Sequence, residues 1–113
     1  MLDAKRLLDH CLALPGAWPD QPWEGDVVAK VGEKIFAFTG EQSVGLKCGR
    51  SRDEADEWLR RYPDDASVMA YIGRYGWNTL ALNGAISDEE ILEAVDASYA
   101  DVVARLPKSQ RPG

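Results

Sequence analysis

The chain has 113 residues, of which 45% are hydrophobic and 28% are charged, and its formal net charge is -6. These values are typical of a soluble globular protein, so residues 1–113 are expected to fold as a single domain. The lack of a long apolar run excludes a membrane-spanning helix, and no membrane partner is expected. Nucleic acid repels so acidic a chain unless the basic side chains gather on one surface.

The N-terminal segment has the pattern of an amphipathic helix. Asp3 is placed to cap its start, and Pro15-Gly16 ends it. Residues 17–24 contain two prolines and no strand alternation, so we predict an ordered loop that Trp18 and Trp23 hold against the domain. The apolar residues of the helix recur at a three-four spacing, at Ala4, Leu7, Leu8, Cys11 and Leu12.

The middle of the chain predicts three strands. Residues 27–31 and 34–39 are rich in β-formers, and the two-residue connection Gly32-Glu33 indicates a hairpin. Such a hairpin sets Ala29 opposite Phe36 on an apolar face that meets the helices. With a third strand at residues 43–48, the outer face carries Val28, Lys30, Ile35, Ala37 and Lys47.

Two helices and two further strands complete the pattern. Ser51-Arg52-Asp53-Glu54 is a capping box, in which the Glu54 carboxylate is placed to reach back to the amide of Ser51. Ser87-Asp88-Glu89-Glu90 is a second capping box, and the strongest apolar stripe of the chain follows it. We also predict strands at residues 67–72 and 77–83, a turn at residues 73–76 and a mobile tail at residues 107–113.

The predicted order of elements is α-β-β-β-α-β-β-α. Neighbouring strands joined by short turns favour antiparallel pairing, and helices with one apolar stripe each must cover one face of a sheet. The expected fold class is therefore α+β, a two-layer sandwich with an antiparallel sheet of about five strands and helices packed on one face.

The sequence has no pattern of catalytic or metal-binding residues. His10 is the only histidine, and it has no zinc-type spacing with Cys11 or a carboxylate. The glycine loops and nucleophile motifs of common enzymes are absent too. We therefore expect a protein that is not an enzyme and that has no catalytic residues, metal or cofactor. The N-terminus lacks the apolar segment of a signal peptide, so the expected compartment is the cytoplasm, with Cys11 and Cys48 as reduced thiols.

The outer face of the sheet is the strongest candidate for a binding surface. It combines cations with aromatic rings, a mixture that stacks bases or a peptide while the cations take phosphates or carboxylates. The alternative is that residues 18–24 or a second subunit cover this face. Its predicted members are Lys30, Ile35, Lys47, Tyr71, Trp77 and Thr79.

Short motifs in a fixed order span nearly the whole chain. They are Leu14-Pro15-Gly16-Ala17, residues 28–37, Gly45-Leu46-Lys47-Cys48, residues 77–84, and the closing helix with Ser98-Tyr99 and Leu106-Pro107-Lys108. In this order they resemble the MmcQ/YjbR family of small bacterial proteins. The resemblance implies a CyaY-like fold and a DNA-binding role. The positions that match the family's pattern are Lys30, Lys47, Trp77 and Asn78.

The sequence therefore favours a DNA-binding or transcription-associated protein that uses the outer face of its sheet. Trp77 and Tyr71 would form a platform for unpaired bases or a groove edge, and Asn78 either joins them or braces the preceding turn. The alternative is a protein-binding or peptide-binding adaptor, or a self-associating module, and both a monomer and a homodimer fit the pattern. The expected phosphate contacts are Lys30, Lys47, Arg50, Arg52 and Arg74.

Overall fold

The computed structural model describes residues 2–24 and 26–112. Over these residues the chain forms three α-helices and a six-stranded antiparallel sheet. The helices are α1 (Ala4–Leu12), α2 (Arg52–Arg61) and α3 (Asp88–Arg105). The strands are β1 (Ala17–Trp23), β2 (Asp26–Val31), β3 (Lys34–Thr39), β4 (Ser43–Lys47), β5 (Ala66–Val68) and β6 (Trp77–Ala81). Their order across the sheet is β1-β2-β3-β4-β6-β5.

The described helices cover one face of the sheet, so the predicted α+β fold with helices on one side is confirmed. Leu7 of α1 and Val95 of α3 are fully buried in the same cluster as Phe36 and Leu80 of the sheet. The Phe36 ring also meets Tyr99 of α3 edge to face, with 5.3 Å between the ring centroids. The opposite side of the sheet, called the helix-free face below, is left bare by these helices.

The serine caps of both predicted capping boxes are present. The Ser51 hydroxyl accepts from the amide of Glu54 at 3.3 Å, and the Ser87 hydroxyl accepts from the amide of Glu90 at 3.1 Å. These bonds satisfy amides that have no partner inside a helix. The return bond of the first box differs from the prediction, because the Glu54 carboxylate accepts from the amide of Arg50.

Strand β1 occupies the segment that was predicted to be a loop. Pro19 and Pro22 led to that error, because a proline cannot donate a ladder hydrogen bond. The strand lies at the edge of the sheet and pairs with β2 alone. Backbone amides that point away from β2 therefore have no ladder hydrogen bond to make, and a proline is tolerated there. A register shift between Asp20 and Trp23 also interrupts the pairing. The indole of Trp18 clips the strand to the hairpin by donating to the Gly32 carbonyl at 2.9 Å.

The predicted hairpin is present, but its register is wrong after the first two pairs. A bulge between Ala29 and Lys30 shifts β3 by one residue, so Ala29 lies opposite Ala37 and not opposite Phe36. A shift of one residue exchanges the two faces of a strand. Ala37 is therefore buried against the helices, and Phe38 lies on the helix-free face beside Trp77.

The strand predicted at residues 67–72 is shorter than expected. It ends at Val68, and a turn leads to a 3₁₀ turn at Gly73–Tyr75. Tyr71 lies in this turn with a positive φ of 65°, a backbone conformation that is strained for a large side chain. The prediction that Tyr71 lies on the face of the sheet is therefore wrong.

The predicted mobile tail begins after α3 and contains a second 3₁₀ turn, Lys108–Gln110. The guanidinium of Arg111 donates to the carbonyls of Leu106 and Ala104 at 2.9 and 3.0 Å, which satisfies acceptors at the end of α3. Gly113 lies outside the described residues. Whether this segment moves in solution stays a prediction of the sequence.

Both cysteines are free, and their thiols should react slowly in the folded protein. Burial raises the pKa of Cys11 to about 12 and that of Cys48 to about 11. At pH 8 the thiolate fraction of Cys48 is then on the order of 0.001, against roughly a quarter for an unperturbed thiol. Labelling with a thiol-reactive dye should be at least about 100-fold slower than after unfolding in guanidinium chloride. Fast labelling of one thiol in the native state would contradict this burial.

Candidate binding cleft on the helix-free face

Strands β3 and β4 separate at one end, and a helix side chain fills the gap. Their pairing ends with Ala37 opposite Leu46. The next pair would join Phe36 to Lys47, but the Ser98 hydroxyl of α3 lies between them. It donates to the Phe36 carbonyl at 2.7 Å and accepts from the Lys47 amide at 3.0 Å. Both strand groups therefore keep a hydrogen bond although the strands part.

The separated strands border a cleft of about 350 Å³. It extends from the helix-free face, at Trp77, to the C-terminal part of α3, at Arg105. Its walls combine apolar, aromatic and cationic side chains. The residues that line it, and that define the cleft below, are Lys34, Ile35, Lys47, Ile72, Tyr75, Trp77, Val102 and Arg105.

Lys47 is the buried cation of this cleft, with a side chain only 7% exposed. Its ammonium group donates to the Tyr75 carbonyl at 2.6 Å, and the Asp101 carboxylate lies 3.9 Å away. Burial lowers the pKa of Lys47, and the charge of Asp101 opposes that shift. Asp101 is closer to Arg105, whose Nε donates to it at 3.1 Å. Lys47 thus lies in the region that the sequence indicated, but inside a cleft and not on an open surface.

Trp77 forms the aromatic part of the cleft wall. It pairs directly with Lys47 across β4 and β6, so the two side chains share a face. The indole packs edge to face on Phe38, with 5.7 Å between the ring centroids. Nearer the centre of the sheet Met69 covers Gly45, where an added Cβ would lie 2.9 Å from the Met69 sulfur. The chain's own side chains therefore cover part of the helix-free face.

The loop of residues 71–75 borders the cleft and carries exposed aromatic rings. Tyr71 is 98% exposed and Tyr75 is 54% exposed. The guanidinium carbon of Arg74 lies 4.8 Å from the centroid of the Tyr75 ring. Within the described residues no carboxylate forms a salt bridge with Arg74 or with the exposed Lys34 of the cleft. Both cations are thus available to an anionic partner.

Lys30 lies on the helix-free face next to the cleft, opposite Ile35, but it does not line the cleft. Its ammonium group bonds to Asp20 at 3.2 Å and lies 4.7 Å from the centroid of the Trp18 ring. The bond from Lys30 and a second one from the amide of Gln21 hold the pKa of Asp20 below its usual range. A phosphate at Lys30 would therefore have to compete with an existing carboxylate.

The remaining candidate residues belong to the link between α2 and β6. Asn78 is fully buried, donates to the Ala55 carbonyl at 2.9 Å and accepts from Arg52. Arg52 also donates to Asp56 at 2.7 Å and to the Gly73 carbonyl at 2.6 Å. Asn78 therefore joins β6 to α2, and in the part of the chain that the structure describes only Arg52 connects it to the preceding turn. Exposed Arg50 pairs with Glu54 at 3.5 Å.

Five of the residues that line the cleft were missed in the sequence: Lys34, Ile72, Tyr75, Val102 and Arg105. No local signal marks them, because they meet only where β3 and β4 separate. One residue does indicate in the sequence that β3 and β4 separate. Ser98 is a polar residue in the apolar stripe of α3, three residues after Val95 and four before Val102. A buried serine in such a stripe needs a hydrogen-bond partner on the facing element.

Other kinds of site find no support among the described residues. No group of three or more histidine, cysteine or acidic residues is placed to hold a metal ion there. No helix in the described part of the chain is long and apolar enough to cross a membrane.

The sequence of this chain matches a known protein family and relatives from two strains of one bacterium. The family model for YjbR matches residues 12–101. The uncharacterized protein YjbR of Escherichia coli K12 is 32% identical over 111 residues, which covers 93% of this chain and 91% of that protein. The same protein from Escherichia coli O157:H7 matches to the same extent.

Solved structures share the fold at lower identity. The crystal structure of a Deinococcus radiodurans protein, described by the domain DUF419, has a TM-score of 0.84 and 21% identity, covering 97% of this chain and 86% of that chain. A crystal structure from Pseudomonas syringae has a TM-score of 0.68 and 17% identity, covering 86% of this chain and 96% of that chain. These likenesses bear on the fold alone.

Proposed function

This chain belongs to the YjbR family, and we propose that it binds unpaired nucleic acid at the cleft end of its helix-free face. The observation that carries the proposal is the gathering of available cations and exposed rings at that end. Tyr71 and Tyr75 present aromatic surface to solvent, and Arg74 and Lys34 lie beside them without a salt-bridge partner among the described residues. Stacked rings flanked by cations are a common way to bind single strands.

The charges favour an unpaired strand over a duplex. A duplex presents two dense rows of phosphates, and its binding needs many cations on one surface. Here Lys30, Arg50 and Arg52 already bond to carboxylates, and the chain as a whole is negative. A single strand needs fewer phosphate contacts because stacking on rings supplies part of the affinity.

A protein partner is the second candidate, and exposed apolar surface on the edge strand β1 favours it. Trp23 of β1 is 55% exposed, and Trp18 is 40% exposed. Exposed tryptophans of this kind are common in protein interfaces. Pairing of β1 with another strand is disfavoured, since Pro19 and Pro22 remove two donors from the edge.

The proposal is tested by fluorescence anisotropy with labelled single-stranded and duplex oligonucleotides. Binding of the single strand should be tighter than binding of the duplex. It should weaken about sevenfold for a fourfold rise in salt, if Lys34 and Arg74 each contact one phosphate. Tyr71→Ala should weaken single-strand binding at least about fivefold, because one stacked base contributes roughly 1–3 kcal/mol.

Trp23→Ala is the matched control, because it removes an exposed ring of β1 that lies at the other end of the sheet. It should leave single-strand binding within about twofold of the wild type, as expected for a ring that no base contacts. The absence of oligonucleotide binding at low salt would overturn the proposal and favour the protein partner. Equal losses in the two variants would show that the strand does not bind at the cleft.

A further inference from the structure

We infer that the cleft between β3 and β4 binds a nucleotide that ends in a phosphate monoester. The nucleotide is either the terminal unit of an unpaired strand or a free mononucleotide. For the strand, the inference rests on the function proposed above; for the free nucleotide it stands alone.

The volume of the cleft fits one such ligand. Its value of about 350 Å³ is at the lower end of the range of small-molecule sites, roughly 300–1,000 Å³. The walls offer an aromatic ring from Trp77 and apolar surface from Ile72 and Val102 for a planar base. Such sites are mostly apolar with a few well-placed polar groups, and this description fits the cleft.

The charge in the cleft matches a monoester better than the phosphodiester inside a strand. Three cations line it, Lys34, Lys47 and Arg105, and Asp101 beside them supplies one negative charge. The lining residues and Asp101 therefore sum to about +2, and Glu54, whose charge also reaches Lys47, is paired with Arg50. A phosphate monoester carries about -1.5 to -2 near neutral pH, whereas each internal phosphodiester carries a single negative charge. The terminal phosphate is the better electrostatic complement in a cleft of a chain with net charge -6.

Lys47 provides a buried ammonium group with hydrogen-bond donors for the phosphate. Its side chain is more than nine-tenths buried, yet over residues 2–24 and 26–112 its hydrogen-bond acceptor is a single backbone carbonyl, and the nearest carboxylate lies 3.9 Å away. An ammonium group has three donors. A phosphate oxygen in the cleft would accept from the donors that remain and would compensate for the burial of this charge.

The test compares otherwise identical short single strands that end in a phosphate or in a hydroxyl, with the dye at the other end. Strands with a 5′-phosphate and with a 3′-phosphate are both measured, and free thymidine monophosphate and inorganic phosphate serve as competitors. We expect one of the phosphorylated ends to bind at least tenfold tighter than its hydroxyl counterpart. Thymidine monophosphate should displace it, and inorganic phosphate at the same concentration should not.

Lys47→Met should reduce the ratio of the two affinities to about one, because the terminal phosphate then loses its buried donor. Lys30→Met is the control, because Lys30 is another partly buried lysine of the same face and does not line the cleft. In this variant the phosphorylated strand should still bind at least tenfold tighter than the hydroxyl-ended strand. Thermal unfolding checks that each variant is folded. If Lys47→Met fails to fold, the variant Arg105→Gln, at the exposed rim of the cleft, is used in its place. It should reduce the ratio of the two affinities at least threefold.

The outcomes separate this inference from the proposed function. Equal binding of both strand ends, with no displacement by thymidine monophosphate, overturns the inference and leaves single-strand binding intact. Binding of thymidine monophosphate that is lost in Lys47→Met, without binding of any strand, overturns the proposed function and supports the free nucleotide as ligand. Displacement by inorganic phosphate as strong as that by the nucleotide shows that the base makes no contact, and overturns the inference.

Discussion

Asn78→Ala should lower the free energy of unfolding by about 3 kcal/mol, because the change removes two hydrogen bonds made by a fully buried side chain. The amide of Asn78 donates to the Ala55 carbonyl in α2 and accepts from Arg52. Arg52 is only partly exposed and would lose one of its acceptors. An alanine also leaves a cavity the size of the lost amide. Urea unfolding followed by circular dichroism measures the change.

Gln42→Ala is the control for this substitution, since Gln42 carries the same amide group on an exposed side chain. It should change the free energy of unfolding by no more than about 0.5 kcal/mol. A double change of Arg52 and Asn78 to alanine should cost less than the sum of the single changes, because the two residues share one network. An Asn78→Ala protein as stable as the wild type would show that the network does not stabilise the fold.

Ser98→Ala should lower the free energy of unfolding by about 2 kcal/mol, because it orphans two buried strand groups at once. The hydroxyl is the bridge between the carbonyl of Phe36 and the amide of Lys47, and Ser98 itself is fully buried. The substitution removes one oxygen atom, so the change in packing is small. Ser109→Ala removes the same group from an exposed position and should be close to neutral.

A further measurement separates the bridge from ordinary packing. In amide hydrogen exchange, the Lys47 amide should lose protection in Ser98→Ala, while amides in the paired part of β4 keep theirs. An unchanged exchange rate at Lys47 would mean that the two strands close the gap by direct pairing.

The helices of this protein could be predicted from sequence because their signals are local. Ser51 and Ser87 are capping residues with an acidic residue three positions later, and both helices begin there. The edge strand β1 could not be predicted, since Pro19 and Pro22 are compatible with a strand only at the edge of a sheet. The position of a strand within a sheet depends on residues distant in sequence.

The candidate site was predictable only in part for the same reason. The alternation of β4 and β6 placed Lys47 and Trp77 on one face, and the pairing of these residues agrees. The alternation carried no information on burial, and Lys47 is enclosed by Tyr75 and Asp101 from two other elements. The bulge beside Lys30 likewise depends on the pairing with β3. The face of the sheet on which Phe38 lies could therefore not be inferred from the sequence.

The short pairing between β3 and β4 divides the sheet into two halves. Register pairs there run from Thr39 with Val44 to Ala37 with Leu46, while β1 to β3 on one side and β4 to β6 on the other are held by longer ladders. Three register pairs join the two halves directly, and the Ser98 hydroxyl of α3 connects them where the pairing has ended. A ligand can therefore enter at the Lys47 end without displacing any ladder hydrogen bond between β3 and β4, because the pairing ends at Leu46.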